Sequence, residues 1–110
     1  MYFEGSELMN SQLKKGMLEY CVLATLRTSD SYGYQIIKDT SGVIDLSDST
    51  LYPILKRLEK QEAIESYSVE HNGRLRKYYH LTETGLADIQ GFLDDWQQVM
   101  TVYDYIKGAN

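Results

Sequence analysis

Two stretches between Ser47 and Leu81 carry side chains suited to gripping a polyanion. In SDSTLYPILKRLEKQ (47–61), Ser49, Thr50 and Tyr52 place hydroxyls near the start of a helical pattern, and Lys56, Arg57 and Lys60 place cations further along. Short hydroxyl side chains can approach base edges closely, while long cationic ones reach phosphates. Leu51, Ile54, Leu55 and Leu58 recur at spacings of three and four, which marks the opposite face as buried. Ser47, Asp48 and Ser49 are N-cap residue types whose oxygens accept the unpaired N–H groups of a first turn. The second stretch sets Arg74, Arg76 and Lys77 just after His71-Asn72-Gly73. Asn-Gly tolerates positive φ and closes hairpins, so Ala63–Glu70 and Leu75–Leu81 read as paired strands. The loop length, and with it the register, stays open at this level.

Catalytic chemistry has no comparable footing. His71 sits in the turn and His80 in a strand, with no Cys or carboxylate cluster at metal-ligand spacing, so neither a metal nor another cofactor is expected. Asp94 and Asp95 are consecutive helix residues and diverge around the axis, which spoils them as an acid–base pair. No glycine-rich phosphate loop or nucleophile–base arrangement occurs. The chain reads as a non-enzyme.

The elements that must hold the two basic stretches follow from periodicity. Residues 1–8 (MYFEGSEL) fit nothing downstream and read as a non-native or unstructured lead-in, with Met9 a natural start. A helix is expected from Ser11 to about Thr28, and its apolar residues cover nearly the whole circumference, so it must be buried on more than one side. Thr28–Ser31 reads as a capping turn and Tyr32–Thr40 as a short helix. Gly33 inside that helix implies a close backbone contact. Val43–Leu46 reads as an extended connector able to pair as a short strand. Pro53 falls near the start of the 47–61 helix, where its missing N–H costs least. Three helices followed by a basic hairpin is the order of a winged helix-turn-helix, giving a mainly α chain with a small β-hairpin wing (α+β). The winged domain spans residues 9–81.

Residues 82–110 carry the clearest periodicity. Leu86, Ile89, Leu93, Trp96, Met100 and Tyr103 alternate spacings of three and four, and Phe92, Val99 and Ile106 recur every seven. A chain of 110 residues with three other helices in its core has little left to cover such a face. A homodimer built on this last helix, with Val99 in the same seam and support from the first helix, is the economical expectation.

Net charge is −5, which argues against indiscriminate binding of nucleic acid. Distribution is more telling: Lys and Arg outnumber Asp and Glu between Thr50 and Leu81, whereas Lys107 stands alone among acids after Thr82. One basic face joined to an acidic tail helix suits DNA bound on one side only. The single Cys21 excludes an internal disulfide and fits a reducing cytoplasm, and it sits in the most apolar stretch, as an inert thiol would. The apolar runs are too short for a membrane span.

From about Met9 to Tyr105 the chain resembles the PadR family of bacterial transcriptional regulators, in its short form with a single C-terminal helix. The resemblance lies in QLKKGMLEYCVLATL, YGYQIIK, STLYPILKRLEKQ, GRLRKYYHLTETG and the late Trp96. It implies a cytoplasmic homodimer, usually a repressor, on a dyad-symmetric double-stranded DNA operator. By the resemblance and the helix geometry together, Ser49, Thr50, Tyr52, Lys56 and Arg57 meet the major groove or its phosphates, and Arg74, Arg76 and Lys77 straddle a minor groove. Tyr32, Tyr34, Lys14 and Lys15 are weaker phosphate candidates. A charged helix face alone is more often merely solvated; the wing and the resemblance tip the balance. A protein-interaction dimer using the same faces is the alternative.

In some short-form relatives a Trp at the place of Trp96 stacks on an aromatic effector. Its neighbours here would be Phe92, Leu93 and Met100, with Leu13, Met17 and Tyr20 from the first helix. A packed interface without a cavity is an equal reading.

Overall fold

The computed structural model describes residues 11–108, with side chains from Gly16 onward. In chain order the elements are α1 (Ser11–Thr25), β1 (Ser31–Tyr32), α2 (Gly33–Thr40), α3 (Asp48–Lys60), β2 (Ile64–His71), β3 (Arg74–Leu81) and α4 (Glu83–Lys107). The expected lead-in at residues 1–8 lies outside the described residues. Helices and hairpin occur in the expected order, and the fold is α+β.

The core forms where the apolar faces of α1, α2 and α3 meet the base of the wing. Val22, Leu23, Ile36, Leu51, Leu55, Leu58 and Ile64 are almost wholly buried there. Each such aliphatic side chain contributes roughly 2 kcal/mol when removed from water. The i, i+3, i+4 spacing on α3 puts all four of its apolar positions into this core, which leaves the hydroxyl and cationic face outward.

Two local expectations change. The first helix stops at Thr25 rather than Thr28, and Leu26 and Arg27 tighten into i→i−3 turns on Leu23 and Ala24. The third strand is Ser31–Tyr32, not the connector at Val43–Leu46. Ser31 and Tyr32 pair antiparallel with Tyr79 and Tyr78, giving the sheet order β1-β3-β2. The connector instead folds back through N–H groups of Val43 and Ile44 on the Thr40 carbonyl, and it supplies Ile44 and Leu46 to the core.

The hairpin turn is as tight as Asn-Gly permits. Asn72 and Gly73 both have positive φ, 53° and 78°, and His71 pairs directly with Arg74. That combination is a two-residue primed turn, and it sets every cross-strand partner of the wing.

At its start α4 is locked to the winged domain. Thr82 caps it by accepting the Gly85 N–H at 3.0 Å, and its hydroxyl donates to the Glu62 carbonyl at 2.7 Å. Gly85 presses on the Ala63 carbonyl and Leu81 so closely that no Cβ fits. At its other end Gly108 closes the helix in a left-handed cap.

Candidate nucleic-acid interface

The outward face of α3 begins with a knot of hydroxyls. The Ser47 side chain accepts the Thr50 N–H at 3.3 Å, donates to the Thr50 hydroxyl at 3.1 Å and lies 3.1 Å from the Ser49 hydroxyl. Ser49, Thr50, Tyr52 and Lys56 are all exposed. Pro53 is the sixth residue of α3, so it withholds a helical N–H from the Ser49 carbonyl and leaves another acceptor at this end.

Arg57 has an ion-pair partner that the sequence did not announce. Its Nε donates to the Glu19 carboxylate of α1 at 2.6 Å, with Nη2 at 2.5 Å from the same oxygen. This fork ties α3 to α1 and pairs the guanidinium with a carboxylate, while the Arg57 side chain stays partly exposed. A partner 38 residues away is invisible to helical periodicity.

Tyr32, Tyr52, Arg76 and Lys77 come together with Gly33, Tyr34 and Tyr79 around one cleft of about 560 Å³. Three elements create it. Tyr52 leans from α3 across Gly33, whose missing side chain makes room for the phenol, and this is the close contact that a glycine within a helix implied. Tyr32 is the N-cap of α2 and offers no side-chain cap, so the first-turn N–H groups have none from it. On β3, Arg76 and Lys77 alternate to opposite faces. The Arg76 guanidinium lies 4.0 Å over the Tyr32 ring, and Lys77 Nζ is 5.8 Å from the Tyr79 ring. Because β1 has only two residues, β3 loses that neighbour before Lys77, and the cations reach the cleft past its end. Hydroxyls, cations and an uncapped helix start together suit a phosphodiester. Arg74 stands exposed beyond them, at the turn. Burial pushes the Tyr79 hydroxyl above the usual phenol range, so it acts as a neutral wall.

A cluster that periodicity missed lies on the Arg76 face of the sheet, beyond Tyr78 from the cleft. Asp30 accepts a hydrogen bond from the Tyr67 hydroxyl at 2.5 Å and lies 2.8 Å from His80 Nδ1. First the Tyr67 bond and then the His80 bond hold its carboxyl below the usual carboxylate range. Two-residue pairing across Asn-Gly would have placed Tyr67 opposite Tyr78, but nothing in the sequence points to Asp30.

On α4, Phe92 stacks on Tyr20 of α1 with centroids 4.2 Å apart, and Trp96 follows Phe92 at 6.1 Å. Met17 is half-buried on α1. Leu86, Leu93, Val99, Met100 and Tyr103 are exposed, as are Val102, Tyr105 and Ile106. Ile89 is the exception to the expected seam: it is 5 % exposed and belongs to the core, since the first turns of α4 pack on the winged domain. The side chains of Leu13, Lys14 and Lys15 lie outside those described. Burial raises the Cys21 thiol, which weakens it as a nucleophile. Among the described residues no three His, Cys, Asp or Glu side chains form a metal-binding group, and no helix is long and apolar enough to cross a membrane.

Comparison with known proteins gives a consistent answer. Residues 22–91 match the model of the transcriptional regulator PadR-like family. The fold is similar to a PadR-like transcription factor from Bacteroides fragilis, with 33 % identity, a TM-score of 0.79, and 87 % of this chain and 95 % of that one covered. A protein of Streptococcus mutans UA159 shares 38 % identity at a TM-score of 0.76, over 93 % and 97 % of the two chains. A PadR family transcription regulator from Clostridium difficile R20291 shares 30 % identity at a TM-score of 0.75, over 83 % and 98 %.

Proposed function

This chain belongs to the PadR-like family of transcriptional regulators, and from that membership we infer that it is a homodimeric repressor of a dyad-symmetric operator. Family members are DNA-binding regulators of transcription and not enzymes. In this reading residues 9–81 form the DNA-binding unit and residues 82–110 the dimerisation helix. The Ser49, Thr50, Tyr52 and Lys56 face of α3 enters a major groove. Arg76 and Lys77 hold the adjoining phosphates, and Arg74 lies along the minor groove. The observation that carries this is the cleft joining α2, α3 and β3, where four tyrosines and two cations meet beside an uncapped helix start.

Dimerisation rests on the α4 face, which its own chain leaves uncovered from Val99 onward. Trp96, at the end of the Tyr20–Phe92–Trp96 row, is the candidate contact for a planar aromatic effector, with Leu93 and Met100 one turn either side of it on α4. Such a ligand acts only by favouring one separation of the two α3 helices over another.

The test uses a duplex covering the DNA upstream of the protein's own gene, followed by fluorescence anisotropy at several salt concentrations. Arg76→Ala/Lys77→Ala is expected to weaken binding and to flatten the log–log salt dependence by about one unit for each phosphate left without its cation. Unchanged affinity and slope would refute the assigned DNA face. Planar aromatic compounds are then titrated against Trp96 fluorescence, and an absence of quenching across a broad set would remove the effector from the reading.

A further inference from the structure

The face of the sheet that bears Tyr78 carries an unbroken row of side chains that starts in the loop before β1 and ends at the cleft. Asp30 tethers the Tyr67 hydroxyl of β2 and the His80 imidazole of β3. The Tyr67 ring stacks on Tyr78, with centroids 5.8 Å apart and planes 17° from parallel. Tyr78 tilts against Tyr32 at 5.3 Å, and Arg76 lies over the face of Tyr32 at 4.0 Å. The register produces this order, since Tyr78 is the direct partner of both Tyr67 and Tyr32. Arg76, Tyr78 and His80 alternate onto one face of β3.

We propose that Asp30 is a positioning residue for Arg76, acting through Tyr67, Tyr78 and Tyr32 to hold the guanidinium at the mouth of the cleft. The inference rests on the DNA-binding reading of that cleft. An arginine side chain has many rotamers, and the cation–π contact restrains it only while the ring beneath is itself restrained. Tyr67 is 43 % exposed, so burial does little to hold its ring; the bond to Asp30 sets its angle. Tyr78 and Tyr32 then inherit that angle by ring contact. A carboxylate that touches no DNA thereby decides where a DNA-binding cation rests.

The experiment compares Asp30→Ala, Asp30→Asn and Tyr67→Phe in the full chain, with and without Arg76→Ala. Two readouts are taken: the ring-current shifts of the Arg76 side-chain protons by NMR, and affinity for both the upstream duplex and a mixed-sequence duplex at low salt. Asp30→Ala and Tyr67→Phe are expected to abolish the Arg76 shifts and weaken binding about three- to tenfold. Asp30→Asn, which can still accept from Tyr67, is expected to stay near wild type. In the Arg76→Ala background the Asp30 substitution should add little. Arg76 shifts that survive both Asp30→Ala and Tyr67→Phe would overturn the proposal, as would losses that combine in full. Should Asp30→Ala fail to fold, Tyr67→Phe carries the test, because it deletes one hydroxyl and leaves the loop intact. A wild-type chain that binds neither duplex sinks the DNA reading instead, and the NMR arm alone then decides whether Asp30 governs Arg76.

Discussion

Gly33 has room for a hydrogen atom and little else, because a Cβ there would meet the hydroxyl and ring of Tyr52. Gly33→Ala should therefore swing Tyr52 out of the cleft. The expected result is about a tenfold loss of duplex affinity, shrinking to little when Tyr52 is already Ala, as a double-mutant cycle would read. Asp30 gives a second prediction. Its folded-state carboxyl titrates below the ordinary carboxylate value, because Tyr67 and then His80 bond to the ionised form. The stability this contributes is present above the unfolded-state value, at about pH 4, and is lost as pH falls through the folded value. Urea midpoints of wild type and Asp30→Asn should accordingly differ near neutrality and converge in acid.

At the scale of elements, α4 is the helix whose placement matters most, and a few atoms place it. Thr82 bridges the α3–β2 turn and the first turn of α4, while Gly85 lies against the Ala63 carbonyl. Backbone cannot yield to a methyl group as a flexible side chain can. Gly85→Ala is expected to cost about 2 kcal/mol in urea unfolding, or to tilt α4 away from β2. Its effect should exceed that of Thr82→Ala, at about 1 kcal/mol for a missing cap. The Arg57–Glu19 fork sets α3 against α1 in the same way. Being partly exposed, it is worth about 1 kcal/mol at most.

Over the whole molecule the shape follows α4. The chain extends 59 × 34 × 22 Å, and a 25-residue helix accounts for roughly 37 Å of length. Everything from Val99 to Gly108 is exposed, including Met100, Val102, Tyr103, Tyr105 and Ile106. An apolar stripe of that length is the kind of surface a second chain covers. Leu93→Glu/Met100→Glu should convert a dimer to a monomer in sedimentation at micromolar concentration. The same pair should abolish tight duplex binding while sparing the fold, because neither residue is part of the core. A wild-type chain that sediments as a monomer would remove the dimeric reading.

Short-range patterns in the amino-acid order were enough to locate α3, the wing and α4, because each is specified by signals a few residues apart. The leucine spacing of α3, Ser47 before it, Asn72-Gly73 between the strands and Thr82 ahead of α4 all act through the local backbone. Other features waited on the folded chain. Ser31–Tyr32 is too short to announce itself and becomes a strand only against the edge of β3. Arg57 finds Glu19, Asp30 finds His80, and Ile89 is drawn into the core. The residues in each of these encounters lie far apart along the backbone, so their meeting depends on how the helices pack. Periodicity tells which face of an element is apolar or charged; packing alone determines which distant side chain that face will meet.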